Sequence, residues 1–360
     1  MASKAYTEFE APDGDGVSPD IVSNQNTIVS SGIFSGGSGT LTSFYTSSLQ
    51  GDQSQSFINV YDKAQTDTTR EVQFACGFAS YGGSGSLGNT TKTTAGNRET
   101  AALYRQFANV LLPPGTDKFT FSQYPSASDD IFFIVMNRAR QREKMDPGNW
   151  QLRLGKSIAG TDYGMPINLI DDSGATTSPT VNQAGRVFNI LSGSIESGVA
   201  DTFTDADGTE WTAANGGSYG NFYPDLGIII LDGWKTRQSA SFSQAAANLS
   251  SNGFSNIQRE FFKSITSGSY FAARREEEIT STMYFCRVNN QKFNFSNNPT
   301  FASSTNGVFT QTTFEGDPKV YITQVGLYND NDDLLAVAKL SKPILKTFSR
   351  EAIIKVKLDF

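Results

Sequence analysis

Histidine is absent from the sequence, and no other feature excludes as much chemistry. With it go the Ser-His-Asp and Cys-His arrangements, the usual general base near neutral pH and the commonest metal ligand. Cysteine is scarce too. Cys76 and Cys286 stand far apart in apolar, strand-like runs with no second cysteine beside either. Zinc sites and disulfide frameworks need clustered ligands, so both thiols read as small buried hydrophobes, a long-range bridge being the alternative. No run approaches the roughly 18 apolar residues of a membrane span. Met1-Ala2-Ser3-Lys4-Ala5-Tyr6 has no apolar secretion core, so the expectation is a chain folded in a cytoplasm with no membrane partner. Sequons such as Asn89-Thr90-Thr91 then have no secretory route to act on. Charge is sparse at 18 % of residues and slightly acidic, with 29 Lys+Arg against 36 Asp+Glu, a net charge of -7 and a pI near 4.8. That balance argues against a chain that coats nucleic acid.

What is abundant is phenylalanine, 27 residues of it, set in a background of Gly, Ser, Thr and Asn. Phe supplies packing and the small polar residues supply turns, so many strands are favoured over a few long helices. The 360 residues exceed what one hydrophobic core usually supports, which predicts two lobes or one elaborated domain.

Residues 1–55 are dense in Ser, Gly, Asp and Thr, as in Ser35-Gly36-Gly37-Ser38-Gly39-Thr40, and are expected to form an extended arm ordered by a partner. A first β-rich lobe is expected over 56–195. Within it, Val72, Phe74, Cys76 and Phe78 alternate as a strand, and Asn97 is placed to cap a helix carrying Leu103, Phe107 and Val110 on one face. Ile131 to Val135 is wholly apolar, Asp146-Pro147-Gly148-Asn149 has turn composition, and Trp150 to Leu154 alternates again. Arg186 to Leu191 is a further strand. Residues 196–221 form a loop-rich insertion or linker, and 222–360 a second β-rich lobe. There, Leu226 to Leu231 reads as a strand, and Ser243 to Leu249 and Phe254 to Ile265 read as short helices. Strands follow at Ile279–Val288, Val320–Leu327, Leu334–Leu340 and Arg350–Phe360, with Asn329 to Asp333 a tight connection and Pro343 a break in pairing. The last strand puts Ile354, Val356, Leu358 and Phe360 on one face and closes the lobe. The fold class is therefore mostly β, α+β with few short helices, built as antiparallel, sandwich-like sheets with long loops.

Candidate chemistry is thin. Gly83-Ser84-Gly85-Ser86-Leu87-Gly88 spells G-x-G-x-x-G, but a dinucleotide site needs a helix to open inside the motif, and Asn89 to Gly96 is Thr-rich. Asp201, Asp205 and Asp207 miss the register of a calcium loop and read as an acidic turn. Arg274-Arg275-Glu276-Glu277-Glu278 reads as a solvated, self-neutralising surface, and Arg138 to Lys144 as a solvated or interface face. No catalytic, cofactor-binding or metal residues are assigned.

Several strings carry a resemblance. They are Ile131-Phe132-Phe133-Ile134-Val135-Met136-Asn137-Arg138-Ala139-Arg140, Met145-Asp146-Pro147-Gly148-Asn149-Trp150-Gln151-Leu152 and Gly185-Arg186-Val187-Phe188-Asn189-Ile190. The longest runs from Pro318 through Tyr328-Asn329-Asp330 and on through Leu334 to Pro343. Together they resemble virion structural proteins of T4-like contractile-tailed phages, of the kind found in marine and cyanobacterial phages. The resemblance begins near residue 70, and it implies a tail or baseplate wedge component, not an enzyme. Its partners would be other virion structural proteins in homo- and hetero-oligomeric assembly, with no cofactor, no small-molecule substrate and no direct nucleic acid contact. Alternatives are a neck or head-associated protein, and a carbohydrate-binding tail-fibre module. The last would expose clustered aromatics, whereas Trp150, Trp211 and Trp234 are scattered.

Overall fold

The computed structural model describes residues 21–46, 57–84, 98–121, 127–155, 157–158, 161–162, 167–175, 179–199, 203–204, 210–211, 218–240, 257–303, 307–329 and 331–359. In chain order the elements are β1 (Ile21–Gly32), β2 (Thr40–Leu41), β3 (Phe57–Tyr61), β4 (Val72–Ser80), α1 (Glu99–Leu111), β5 (Asp130–Met136), the single turn α2 (Arg138–Gln141) and β6 (Lys144–Leu154). They continue with β7 (Ile167–Asp171), β8 (Thr180–Asn182), β9 (Gly185–Ser192), β10 (Gly220–Tyr223), β11 (Ile228–Asp232), α3 (Gly233–Ser239), α4 (Ile257–Gly268) and β12 (Phe271–Val288). The last are β13 (Val320–Tyr328), β14 (Leu334–Lys346) and β15 (Ala352–Asp359). The protein is mostly β and its sheets are antiparallel, as the composition predicts. The helix expected at Ser243 to Leu249 lies outside the described residues.

The chain divides into a unit of Val29–Glu277 and a unit of Met1–Ile28 with Glu278–Phe360, so the lobe boundary expected at 196–221 is not where the division falls. The reason is strand pairing: β9 and β10, on either side of that stretch, are direct neighbours, with Phe188 opposite Phe222. The loop-rich segment thus connects adjacent strands of one sheet.

In the larger unit the sheet runs β12-β6-β7-β9-β10-β11-β5-β4-β3. The wholly apolar run in β5 is explained by burial on both faces. Phe132, Ile134 and Met136 enter one core while Ile131 and Phe133 enter another, because successive strand side chains point to opposite faces. Helix α4 covers the first face, Phe261 stacking on Phe132 at 4.7 Å, and α1 covers the second, Phe107 lying 4.7 Å from Phe133. The face of α1 differs from the expected one: Tyr104, Ala108 and Leu111 are buried, Leu103 and Phe107 are half-buried, and Val110 is exposed. Tyr104 sets this rotation, its hydroxyl donating to the Ser128 carbonyl at 2.5 Å and accepting from the Phe119 amide at 3.0 Å.

Part of the expected arm belongs to this unit. Ile33, Phe34, Leu41 and Phe44 are core residues, Phe34 meeting Phe271 and Phe44 meeting Phe74 edge to face. Four apolar side chains suffice, because the Gly-Ser run between them is a tight turn in which Gly36 and Gly37 take φ of 69° and 77°. Asp146 to Asn149 is not a chain reversal either. It is a wide bulge inside β6, opposite Arg274 alone, since Trp150 pairs with Ala273 and Met145 with Arg275. Gly148 has φ of 77° there, and its amide donates to Asp171 at 2.8 Å.

In the smaller unit, Ser281–Val288 of β12 pairs with β15 across eight residues, and β13 pairs with β14. Their facing sides close a small core of Leu327, Ile354 and Val356 with Cys286, Ile322 and Leu340 packed around it. Strand β14 runs on past Pro343. Ile322 pairs with Ile344 and Gln324 with Lys339, so the proline sits in a bulge and does not end the ladder. Lys346, fully buried, donates to Asn290 O, Asn294 Oδ1 and Thr347 O at 2.9, 2.9 and 3.0 Å. Phe360 lies outside the described residues.

Candidate functional site

The two charged runs, Arg274 to Glu278 read as a solvated surface and Arg138 to Lys144 as a solvated or interface face, are brought together in the larger unit. Lys144 on β6 reaches Glu276 on β12 at 3.2 Å, and Arg186 on β9 reaches the same carboxylate at 3.7 Å while holding Asp225 at 3.0 Å. Arg142 pairs with Glu277 at 3.1 Å, Arg275 with Glu277 at 2.6 Å, and Arg140 with Glu71. The Arg275 guanidinium also donates to the Arg140 carbonyl. Glu276 is buried, so the solvated reading fails for this residue. Its position next to a strand bulge turns the carboxylate inward, where desolvation is offset only by cations from β6 and β9. Glu276 and Glu277 are thus each flanked by two cations, and the network clamps α2, β6 and β12 without leaving this carboxylate pair open to a substrate.

A second polar centre gave no motif in the sequence. Asp232 ends β11 and its carboxylate accepts the Lys235 amide at 2.6 Å, capping α3. The Lys235 ammonium lies 4.1 Å from the centre of the Tyr219 ring. Arg237 reaches Asp130 at 3.7 Å. Burial pushes the Asp130 carboxyl up, against a hydrogen bond from Ser80 and the charge of Arg237. Burial also pulls Lys235 down to about 8, with Asp232 opposing. The folded state thus penalises the ammonium form, fully below pH about 8 and not at all above the ordinary lysine value of 10.5. Stability should therefore rise by about 2 to 3 kcal/mol as pH increases through that window. Comparing denaturant unfolding of wild type and Lys235→Met from pH 7 to pH 10.5 checks this. The variant should lack that rise, and parallel pH curves would refute the assignment.

The remaining sequence candidates do not converge. The acidic turn at Asp201, Asp205 and Asp207, and most of the Gly-rich motif, lie outside the described residues. Ser84 lies within it and its carbonyl accepts a hydrogen bond from Thr100; the next helix among the described residues is α1, from Glu99. Neither cysteine is in a disulfide: Cys76 is buried in the main core, where desolvation pushes its thiol up, and Cys286 is half-buried. Trp150 is buried and Trp234 is half-exposed. Among the described residues no group of three or more His, Cys, Asp or Glu is placed to hold a metal ion, and no helix is long and apolar enough to cross a membrane. No protein-family model, curated protein or solved structure matches the chain.

Proposed function

We propose that this chain is a non-enzymatic structural subunit of a tailed-phage virion, placed in the tail or baseplate wedge and assembled with other virion proteins. The observation that carries the reading is the surface of the smaller unit. Its strands present Tyr321, Leu334, Leu335, Val337 and Ile353 largely to solvent, at 52 to 67 % exposure. Four of the five lie on the two-stranded β13-β14 ribbon, and large apolar side chains exposed on so few residues mark a surface that another protein covers. The same strands, β13 and β14, contain the longest string of the phage resemblance. The charge network agrees with this reading, since it ties strands together and offers no open acid or base. Burial of Trp150 removes one of three tryptophans from any sugar-binding platform, which leaves the tail-fibre alternative weaker.

The test is localisation in purified particles. Antibodies raised against residues 313–360 should detect the chain in intact phage and label the tail or its distal end in electron micrographs. Label confined to the neck or head would move the subunit there, and particles free of the protein would overturn the proposal.

A further inference from the structure

We infer that Lys346 and Asn294 form an intramolecular isopeptide bond, the lysine amine displacing ammonia from the asparagine amide and tying the loop after β12 to the end of β14 within the smaller unit. The inference stands whether or not the chain is a virion subunit. It rests on the place where one amine meets one amide. The Lys346 side chain is fully buried, and its Nζ donates to Asn294 Oδ1 at 2.9 Å and to the Asn290 carbonyl at 2.9 Å. Asn294 Nδ2 donates to the same carbonyl at 2.6 Å, so the amide is held with its oxygen toward the amine. A carbonyl bond is about 1.2 Å long, which puts Nζ no more than about 4 Å from Cγ, close to the roughly 3 to 3.5 Å of a reacting pair.

The step balances without any further reagent. The ammonium gives one proton to a base and the neutral Nζ attacks Cγ. A second Nζ proton passes to Nδ2 as the Cγ–Nδ2 bond breaks, and ammonia leaves, carrying the first proton away as ammonium. Burial pushes the Lys346 ammonium below its ordinary value, against the charge of Glu351, which raises the share of neutral amine. Glu351, whose charge acts on Lys346, stays ionised under the hydrogen bond from Arg287, so a base is at hand.

Of the two lysines buried among the described residues, Lys235 lies over the Tyr219 ring, whereas Lys346 meets a carboxamide. The smaller unit also gains most from a staple. Its core buries three residues, Leu327, Ile354 and Val356, and its one cysteine, Cys286, leaves it no disulfide of its own. The bond spans 52 positions of sequence, and a cross-link over such a loop lowers the entropy of the unfolded chain.

Peptide mapping by mass spectrometry of the purified full-length chain tests this. Folded wild type should yield a branched peptide that joins the segment carrying Asn294 to the segment carrying Lys346, lighter than the two together by one ammonia. Lys346→Arg and Asn294→Ala should each abolish that peptide, with the linear peptides recovered in its place. Lys235→Arg, at the other buried lysine, should leave it intact. Full recovery of the linear Asn294 and Lys346 peptides from folded wild type, after prolonged incubation at mildly alkaline pH, overturns the inference. A loss of ammonia confined to the Asn294 segment, which marks succinimide formation, overturns it as well.

Discussion

Deletion of residues 353–360 is expected to unfold the unit formed with residues 278–360 while the core of residues 29–277 persists. Two of the three fully buried residues in the smaller core, Ile354 and Val356, belong to β15, and Leu358 packs beside them. Each such side chain contributes about 1.5 to 3 kcal/mol by burial. The loss is therefore roughly 4 to 9 kcal/mol, comparable to the whole net stability of an ordinary domain at about 5 to 15 kcal/mol. The deletion also removes seven of the eight residue pairs that join β15 to Ser281–Val288, exposing a sheet edge. Limited proteolysis should show it: cleavage within 278–352 in the truncated chain, and a resistant core from the larger unit. A truncated chain whose 278–352 region resists protease like the full-length protein would mean that β15 is a dispensable tail.

Trp150→Ala is the second large effect. The indole is completely buried, packs against Phe222 at 5.1 Å and stands opposite the small Ala273 on β12, which leaves room for it on that face of the sheet. Truncation removes the largest buried side chain of the main core and leaves a cavity in its place. The expected cost is about 3 to 5 kcal/mol. Trp234→Ala, at a half-exposed position on α3, serves as the comparison and should cost under about 1 kcal/mol. Urea unfolding of both variants at neutral pH measures the difference. Equal midpoints would show that Trp150 is not the packing centre that its burial implies.

Much of the fold can be read directly from the residues. The alternation of Glu71 to Ala79 and the apolar run of Ile131 to Val135 each mark a strand that is present within a residue of the expected limits, and the strand expected at Ile279–Val288 ends where expected but begins eight residues earlier, at Phe271. Helix α4 is described from Ile257, the expected start at Phe254 lying outside the described residues, and it buries Ile257, Phe261 and Ile265 at the expected spacing. These patterns are legible because burial on one or both faces is imposed locally, by the period of the element itself.

The candidate site was less visible, and for a different reason. Arg140, Arg142, Lys144 and Arg275, Glu276, Glu277 are more than a hundred positions apart, and only the pairing of β6 with β12 puts them side by side. Lys235 had no distinguishing neighbours in sequence; its burial against Tyr219 follows from the turn of the chain between β11 and α3. The same holds for Ile33 and Phe44, whose Gly- and Ser-rich surroundings signal a loop and hide the fact that the loop closes over the core.

By itself the sequence determined the mostly β class, the absence of any histidine-dependent chemistry and the strand-rich C-terminal region, because composition and side-chain period act residue by residue. The tertiary structure alone decided where the chain divides, which charged runs neutralise one another, and that Asp146 to Asn149 and Pro343 lie in bulges. Those outcomes depend on which strands become neighbours, and strand neighbourhood is fixed by burial and hydrogen bonding between segments far apart in the chain, which local sequence patterns do not encode.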